Sequence, residues 1–225
     1  MAAKPSSNIV ALVTQKGGSG KTTLCVNLAV TATQAGHQVL ILDLDPQGTA
    51  EAWYQEREAA TPRLVKIQAG DLAKAIKLAG QEGFDLIFID TPGRDEPAVA
   101  AAIRQADFCL VPCRPTPADM KATPPTIATI RRLDKPAAFV LSQTPPRGYR
   151  ISEARQGLSV LGTVAPDPIV ARTVFQDAQG AGLGVAEFEP EGRAAQEISR
   201  LWQWLAGKLE KTDHGKKAHL ARKSA

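Results

Sequence analysis

Two lysines, Lys16 and Lys21, bracket Gly17, Gly18, Ser19 and Gly20, and two threonines, Thr22 and Thr23, follow at once. Residues in that order suit a phosphate chain. Backbone N–H groups of a glycine-rich turn can wrap phosphate oxygens, and the N-terminus of a following helix adds partial positive charge. Glycine keeps side chains out of the way of that approach and permits positive φ. Lys21 would then neutralise phosphate oxygens, and the Thr22 hydroxyl would ligate Mg²⁺. The context agrees: residues 9–13, IVALV, read as a buried strand and residues 22–35 as a helix, the setting in which a phosphate-binding loop functions. The stretch departs from G-x-x-x-x-G-K-[ST] at Gln15, where glycine is expected, and carries Lys16 as an additional cation.

Carboxylates follow at two places. The apolar run 39–42 delivers Asp43-Leu44-Asp45-Pro46-Gln47-Gly48, and strand alternation is expected to put both acids on one side at a C-terminal strand end. In a doubly wound sheet, ligands collect along that edge. The run 84–89 ends in Asp90-Thr91-Pro92-Gly93. An apolar strand ending in an acid, downstream of a phosphate loop, is a Walker B pattern in which Asp90 would hold a Mg²⁺-bound water. Pro92-Gly93 would free the chain there to respond to a γ-phosphate.

The elements that must position these residues alternate along the chain. Further strands are expected over 64–67, 108–111, 137–141 and 162–165, with helices over 51–59, 71–81, 97–105, 151–161, 170–179 and 194–209. Another helix begins near Ala118 and is interrupted by Pro124-Pro125. In the last helix Ile198, Leu201, Trp202 and Leu205 recur at core spacing. Strand–helix alternation without a break in composition gives one α/β domain, residues 1–207, built on a mostly parallel twisted sheet flanked by helices on both faces.

Composition adds bounds. The chain of 225 residues is 44% hydrophobic and 22% charged, ordinary for one globular domain. Residues 1–8, MAAKPSSN, lack the apolar core of a signal peptide, no apolar run reaches membrane-spanning length, and a cytoplasmic location is the expectation. Cys25, Cys109 and Cys113 sit in apolar surroundings, as reduced core residues do. The net charge of +4 is uneven: residues 208–225 hold six Lys/Arg against two Asp/Glu, and the rest balances at 21 each. The tail reads as basic and flexible, suited to a polyanion, with nucleic acid ahead of membrane because no apolar stripe accompanies the charge.

KGGSGKTT, with its second lysine, resembles the deviant Walker A motif of the ParA/MinD group of P-loop ATPases. With LDLDPQG, FIDTPG, VLSQTPPRG and VAPDPIVARTVFQDAQGAG in order, residues 8–207 resemble a ParA-type partition ATPase, in the short form without an N-terminal helix-turn-helix. The resemblance implies ATP and Mg²⁺ as cofactors. It assigns Lys16 a trans role on the phosphates of a partner's ATP, Lys21 the β/γ-phosphates, Thr22 the Mg²⁺ and Thr23 the α-phosphate. Asp45 matches the residue that activates the attacking water, Asp43 a switch residue near the metal, and Asp90 the Walker B acid. Ser142 stands where the family often has an Asn-Gln-type adenine contact, so base recognition is expected from Ser142 and from backbone around Pro166 and Asp167.

Implied with these are an ATP-bound homodimer, non-specific DNA binding at the nucleoid, and hydrolysis stimulated by a ParB-like or cargo-adaptor protein. Candidate DNA contacts are Arg147, Arg150, Arg172, Arg193 and Arg200, with Lys208, Lys211, Lys216 and Lys217 from the tail; Arg172 could equally serve an intrachain salt bridge. The alternatives are a MinD-like membrane switch, for which the tail offers only Leu220 as a large apolar residue, and a regulatory ATPase that recruits a protein machine and ignores DNA. A nitrogenase-iron-protein-like cluster is disfavoured, because neither Cys109 nor Cys113 follows the Walker B strand.

Overall fold

The alternating apolar runs form seven strands: β1 (Asn8–Leu12), β2 (Val39–Asp43), β3 (Arg63–Lys66), β4 (Leu86–Asp90), β5 (Phe108–Cys113), β6 (Ala137–Leu141) and β7 (Thr163–Val164). The computed structural model describes residues 7–94 and 96–223, the side chains of 96 and 212–223 excepted. The strands make one sheet in the order β3-β2-β4-β1-β5-β6-β7, and every described pairing is parallel. The helices are α1 (Lys21–Gln34), α2 (Thr49–Gln55), α3 (Leu72–Glu82), α4 (Glu96–Gln105), α5 (Pro117–Lys121), α6 (Pro124–Arg132), α7 (Tyr149–Leu161), α8 (Val174–Gly180), α9 (Val185–Phe188) and α10 (Arg193–Lys223).

Both faces of the sheet are covered, which is why its central strands are apolar at consecutive positions. Val10, Leu12, Leu86 and Phe88 pack on one face against Leu24 and Leu28 of α1 and Ile198 and Trp202 of α10. Ile9, Ala11, Ile87 and Ile89 pack on the other against Val99 and Ile103 of α4, Ile127 of α6 and Leu158 of α7. Helix α1 is buried from Leu24 through Ala32, on every side, because α9 and α10 lie over it. The apolar spacing of a surface helix is therefore absent from it.

Two boundaries differ from expectation, and at a third the expected break proves to be a restart. Residues 170–173 are not helical: Val170 bridges Thr144, and the helix starts at Val174. The Pro124-Pro125 pair starts α6, where a missing N–H costs nothing. The last helix does not stop at Leu209 but continues to Lys223, so the tail is helical to that point. Trp202, Leu205 and Leu209 anchor its earlier turns in the core, and 208–223 contains no proline and is rich in Lys, Leu, Ala and Arg.

Phe88 is wholly buried in a central strand. Phe88→Ala should cost about 3–5 kcal/mol of stability, while Val160→Ala at an 83% exposed position should change it by less than about 0.5 kcal/mol. Urea unfolding midpoints with unchanged slopes would show the contrast.

Candidate functional site

The β1–α1 turn is made possible by Gly20, whose φ of +91° is a left-handed conformation natural to glycine. Lys21 opens α1, is 6% exposed and donates from Nζ to the Lys16 carbonyl at 3.4 Å. Nothing lies within 4 Å of where a Cβ would stand at Gly17 or Gly18, so the outer side of the loop is clear for a ligand. The loop is gripped from the β6 end. Ser142 Oγ donates to the Ser19 carbonyl at 2.7 Å, and Gln143 Nε2 to the Gly18 carbonyl at 3.0 Å. The loop borders an open cleft of about 800 Å³, whose walls include Lys21, Thr22, Asp45, Gln47, Arg94 and Gln143.

Parallel register brings two acids together beneath this cleft. Asp90 is paired in register with Leu12 on one side and with Asp43 on the other, one strand spacing apart. Both carboxylates are wholly buried. Burial, with repulsion from Asp43, pushes Asp90 up to about 7 against the 2.6 Å hydrogen bond it accepts from Thr22 Oγ1 and the charge of Lys21. Burial likewise raises Asp43. Burial lowers Lys21, although Asp90 and Asp45 favour its charge. Asp43 Oδ2 and Asp90 Oδ1 have no hydrogen-bond partner, an expensive state for buried oxygens. A cation satisfies both. Thr22, Asp43 and Asp90 fit Mg²⁺, which takes one or two carboxylates and completes its shell with water and substrate phosphate. Bound there, it would neutralise charge on β- and γ-phosphate oxygens.

Asp45 reaches the cleft by a different route from the one alternation suggests. Strand β2 ends at Asp43, and Asp45 lies in the turn beyond it. Its backbone N–H donates to Asp43 Oδ1 at 2.9 Å, and its own Oδ1 accepts from Gln47 N at 3.0 Å. Thr23 lines the cleft and also a cavity of about 190 Å³ beside it.

Of the residues expected to meet the base, Ser142 lines that cavity, whereas Pro166 and Asp167 do not. Its walls also include Gln143, Ile169, Val170, Ala171, Arg172 and Phe175. The Ser142 hydroxyl is committed to the Ser19 carbonyl. Pro166 and Asp167 do not line the cavity: the Pro166 carbonyl accepts from Arg155, and Asp167 pairs with Arg200 at 3.3 Å. The Thr144–Val170 bridge sets residues 169–172 along the cavity wall.

The basic candidates divide. Arg172 pairs with Glu197 at 2.8 Å, the exposed Arg200 pairs with Asp167, and Lys208 lies over the Trp204 ring. Arg147, Arg150, Arg193 and Lys211 are exposed, and the side chains of Lys216 and Lys217 lie outside the described residues. The three thiols are buried and free. Lys16 does not line the cleft; its Nζ pairs with Asp119 at 3.0 Å.

Several contributors are silent in the sequence. Thr116-Pro117-Ala118-Asp119 announces only a helix start, which it is: the Thr116 hydroxyl caps α5 by accepting from Asp119 N. Its proximity to Lys16 has no local signal, nor has the hydrogen bond from Gln15 N to Thr126 Oγ1 at 3.3 Å. Gly93 lies so near the loop that a Cβ would stand 2.8 Å from the Gly17 backbone.

A glycine loop opening a helix at the C-terminal edge of a parallel sheet, with buried acids beside it, defines a P-loop nucleotide-binding protein. Residues 10–179 match the family model described as the CobQ/CobB/MinD/ParA nucleotide binding domain, and the chain belongs to that family, the ParA/MinD group of P-loop ATPases. Over 204 residues it is 32% identical to the "Maintenance of carboxysome distribution protein A" of Halothiobacillus neapolitanus, covering 85% of this chain and 93% of that protein. Over 218 residues it is 31% identical to the protein of the same name from Gloeobacter kilaueensis, covering 88% and 99%. Among solved structures, the septum site-determining protein MinD of Pyrococcus horikoshii, complexed with Mg-ADP, superimposes with a TM-score of 0.75 at 18% identity over 90% of this chain and 98% of that one.

Lys21→Ala should abolish nucleotide binding in titration calorimetry. Gly93→Ala should leave the fold intact and weaken nucleotide affinity by about tenfold, because relieving an overpacked contact of this kind costs on the order of 1–3 kcal/mol. Undiminished affinity in either variant would contradict the site as drawn.

Proposed function

We propose that the chain hydrolyses ATP, dimerises around ATP–Mg²⁺, and in that state binds DNA without sequence preference, so positioning a cargo over the nucleoid. An adaptor protein of ParB-like role would stimulate hydrolysis and release the dimer. The observation that carries this reading is the division of labour between two lysines on one loop. Lys21 is buried at the cleft and serves its own nucleotide. Lys16 sits five residues earlier and stays off the cleft wall, which leaves it available to the phosphates of a second copy. A two-fold interface uses the same patch on both subunits, so one such lysine per chain completes both sites.

Hydrolysis needs an acceptor beside the γ-phosphate that is distinct from the metal's carboxylates. Asp45 suits the role: it is half-buried at the cleft while Asp43 and Asp90 are sealed beneath. The relatives named for carboxysome distribution support a cargo-positioning task. Arg147, Arg150, Arg193 and Lys211 supply exposed positive charge for phosphate-dominated DNA contact.

Three variants and one titration test the reading. Lys16→Ala should keep ATP binding and lose dimer-linked turnover. Asp45→Ala should trap an ATP-bound dimer, seen as a doubled mass in sedimentation. Binding to random-sequence duplex DNA should require ATP–Mg²⁺, vanish with ADP, and fall steeply with salt. Arg147→Ala should lower the slope of log K against log salt by about 0.9, the contribution of one phosphate contact. Equal DNA binding in all nucleotide states would reduce the basic residues to a passive polycation, and none at all would favour a switch that recruits protein.

A further inference from the structure

Lys16 has a partner within its own chain. Its Nζ lies 3.0 Å from Asp119 Oδ2, with Asp119 3% exposed and Lys16 29% exposed. Asp119 is oversupplied with donors. Arg114 Nε reaches Oδ1 at 3.1 Å, and the Thr116 hydroxyl donates to the same oxygen that Lys16 faces. Burial alone would raise this carboxyl; the hydrogen bonds from Thr116, Lys16 and Arg114 outweigh it and hold Asp119 below the usual carboxylate range. Beside it, Gln15 N donates to Thr126 Oγ1 of α6. The first half of the loop is thus fastened to α5 and α6, while the second half is fastened to β6.

From this geometry we infer that Asp119 is a positioning residue that holds Lys16 in cis, so that closing an ATP dimer requires Lys16 to leave Asp119 for the partner's phosphates. The inference rests on the trans role of Lys16 proposed above. Arg114 makes the exchange feasible. When Lys16 leaves, the carboxylate keeps Arg114 and Thr116, so no buried charge is stranded, which would otherwise be costly. The pair acts as a latch of modest strength, because Lys16 is partly solvated and its ammonium can trade one anion for another. Two-fold symmetry makes its effect count twice, once per subunit.

Asp119→Asn keeps the size and hydrogen-bonding capacity of the side chain and removes its charge. Loss of a pair this exposed is expected to shift the balance about threefold per subunit, hence about tenfold in the dimer Kd. Arg114→Ala should act in the opposite direction, leaving Asp119 to Lys16 and weakening ATP-dependent dimerisation, a reversal that mere loosening of α5 would not produce. Both are measured by sedimentation equilibrium with ATP–Mg²⁺ over a range of protein concentrations, with nucleotide affinity read separately on the monomer. In the Lys16→Ala background, Asp119→Asn should have no effect.

A second measurement needs no dimer. Reductive methylation of the nucleotide-free monomer, read by mass spectrometry at Lys16, should proceed several-fold faster in Asp119→Asn than in the parent chain. Equal labelling rates would overturn the latch, as would dimerisation that weakens in Asp119→Asn. Faster labelling in a protein that never dimerises with ATP would uphold the latch and remove the trans role of Lys16.

Discussion

The register between β2 and β4 is the constraint on which the site depends. It sets Asp43 beside Asp90 on neighbouring strands, with both side chains wholly buried. Two buried carboxylates one strand apart repel strongly at low effective dielectric, and each is left with an unpartnered oxygen. Thr22 and Lys21 compensate only in part: Lys21 is itself desolvated, so burial disfavours its charge too. Acids and base alike are biased towards neutrality. A magnesium ion and a phosphate chain arriving together would correct both at once, the cation meeting the carboxylates and the anion meeting Lys21 and the loop N–H groups. Nucleotide binding is favoured because the protein alone cannot satisfy this arrangement.

Three separate elements press on the phosphate loop from outside. Gly93 lies against Gly17 with room only for hydrogen, so the segment after β4 and the loop must move together. Ser142 and Gln143 bond the Ser19 and Gly18 carbonyls. Thr126 and Asp119 hold Gln15 and Lys16. Each contact takes hold of a different residue, and together they span Gln15 to Ser19. A loop so supported presents its N–H groups in fixed positions, which is the preorganisation that electrostatic binding requires.

The fold was largely legible because its signals are local. Apolar runs of strand length, each followed by helical spacing, named all seven strands within about two residues and required a sheet covered on both faces. The phosphate loop and Asp90 were legible for the same reason, since their chemistry lies in consecutive residues. What escaped depends on contacts distant in sequence. Asp119 and Lys16 are 103 residues apart, and no pattern in either neighbourhood refers to the other. Asp45 was placed in the right cleft for the wrong reason, because alternation was carried one step beyond the end of β2. Residues 170–173 look helical by composition, yet Thr144 and Glu197 claim their backbone, a tertiary override of local preference.

A cycle of the proposed kind makes one further demand on the structure. ATP can raise affinity for DNA only if the DNA-binding arrangement differs between nucleotide states, since a ligand shifts an equilibrium by no more than its differential affinity. Of the exposed cations, Arg147 and Arg150 lie on the chain just beyond Gln143, whose side chain grips the Gly18 carbonyl. Arg193 and Lys211 lie on α10, which meets α1 through apolar packing. Packed interfaces shift as units rather than yielding gradually, whereas a loop tied by hydrogen bonds to the phosphate site follows it directly. Under the proposed cycle, segment 142–150 would offer the short connection between nucleotide and DNA within one chain. Dimerisation supplies the other, since doubling the basic surface multiplies phosphate contacts without moving a residue.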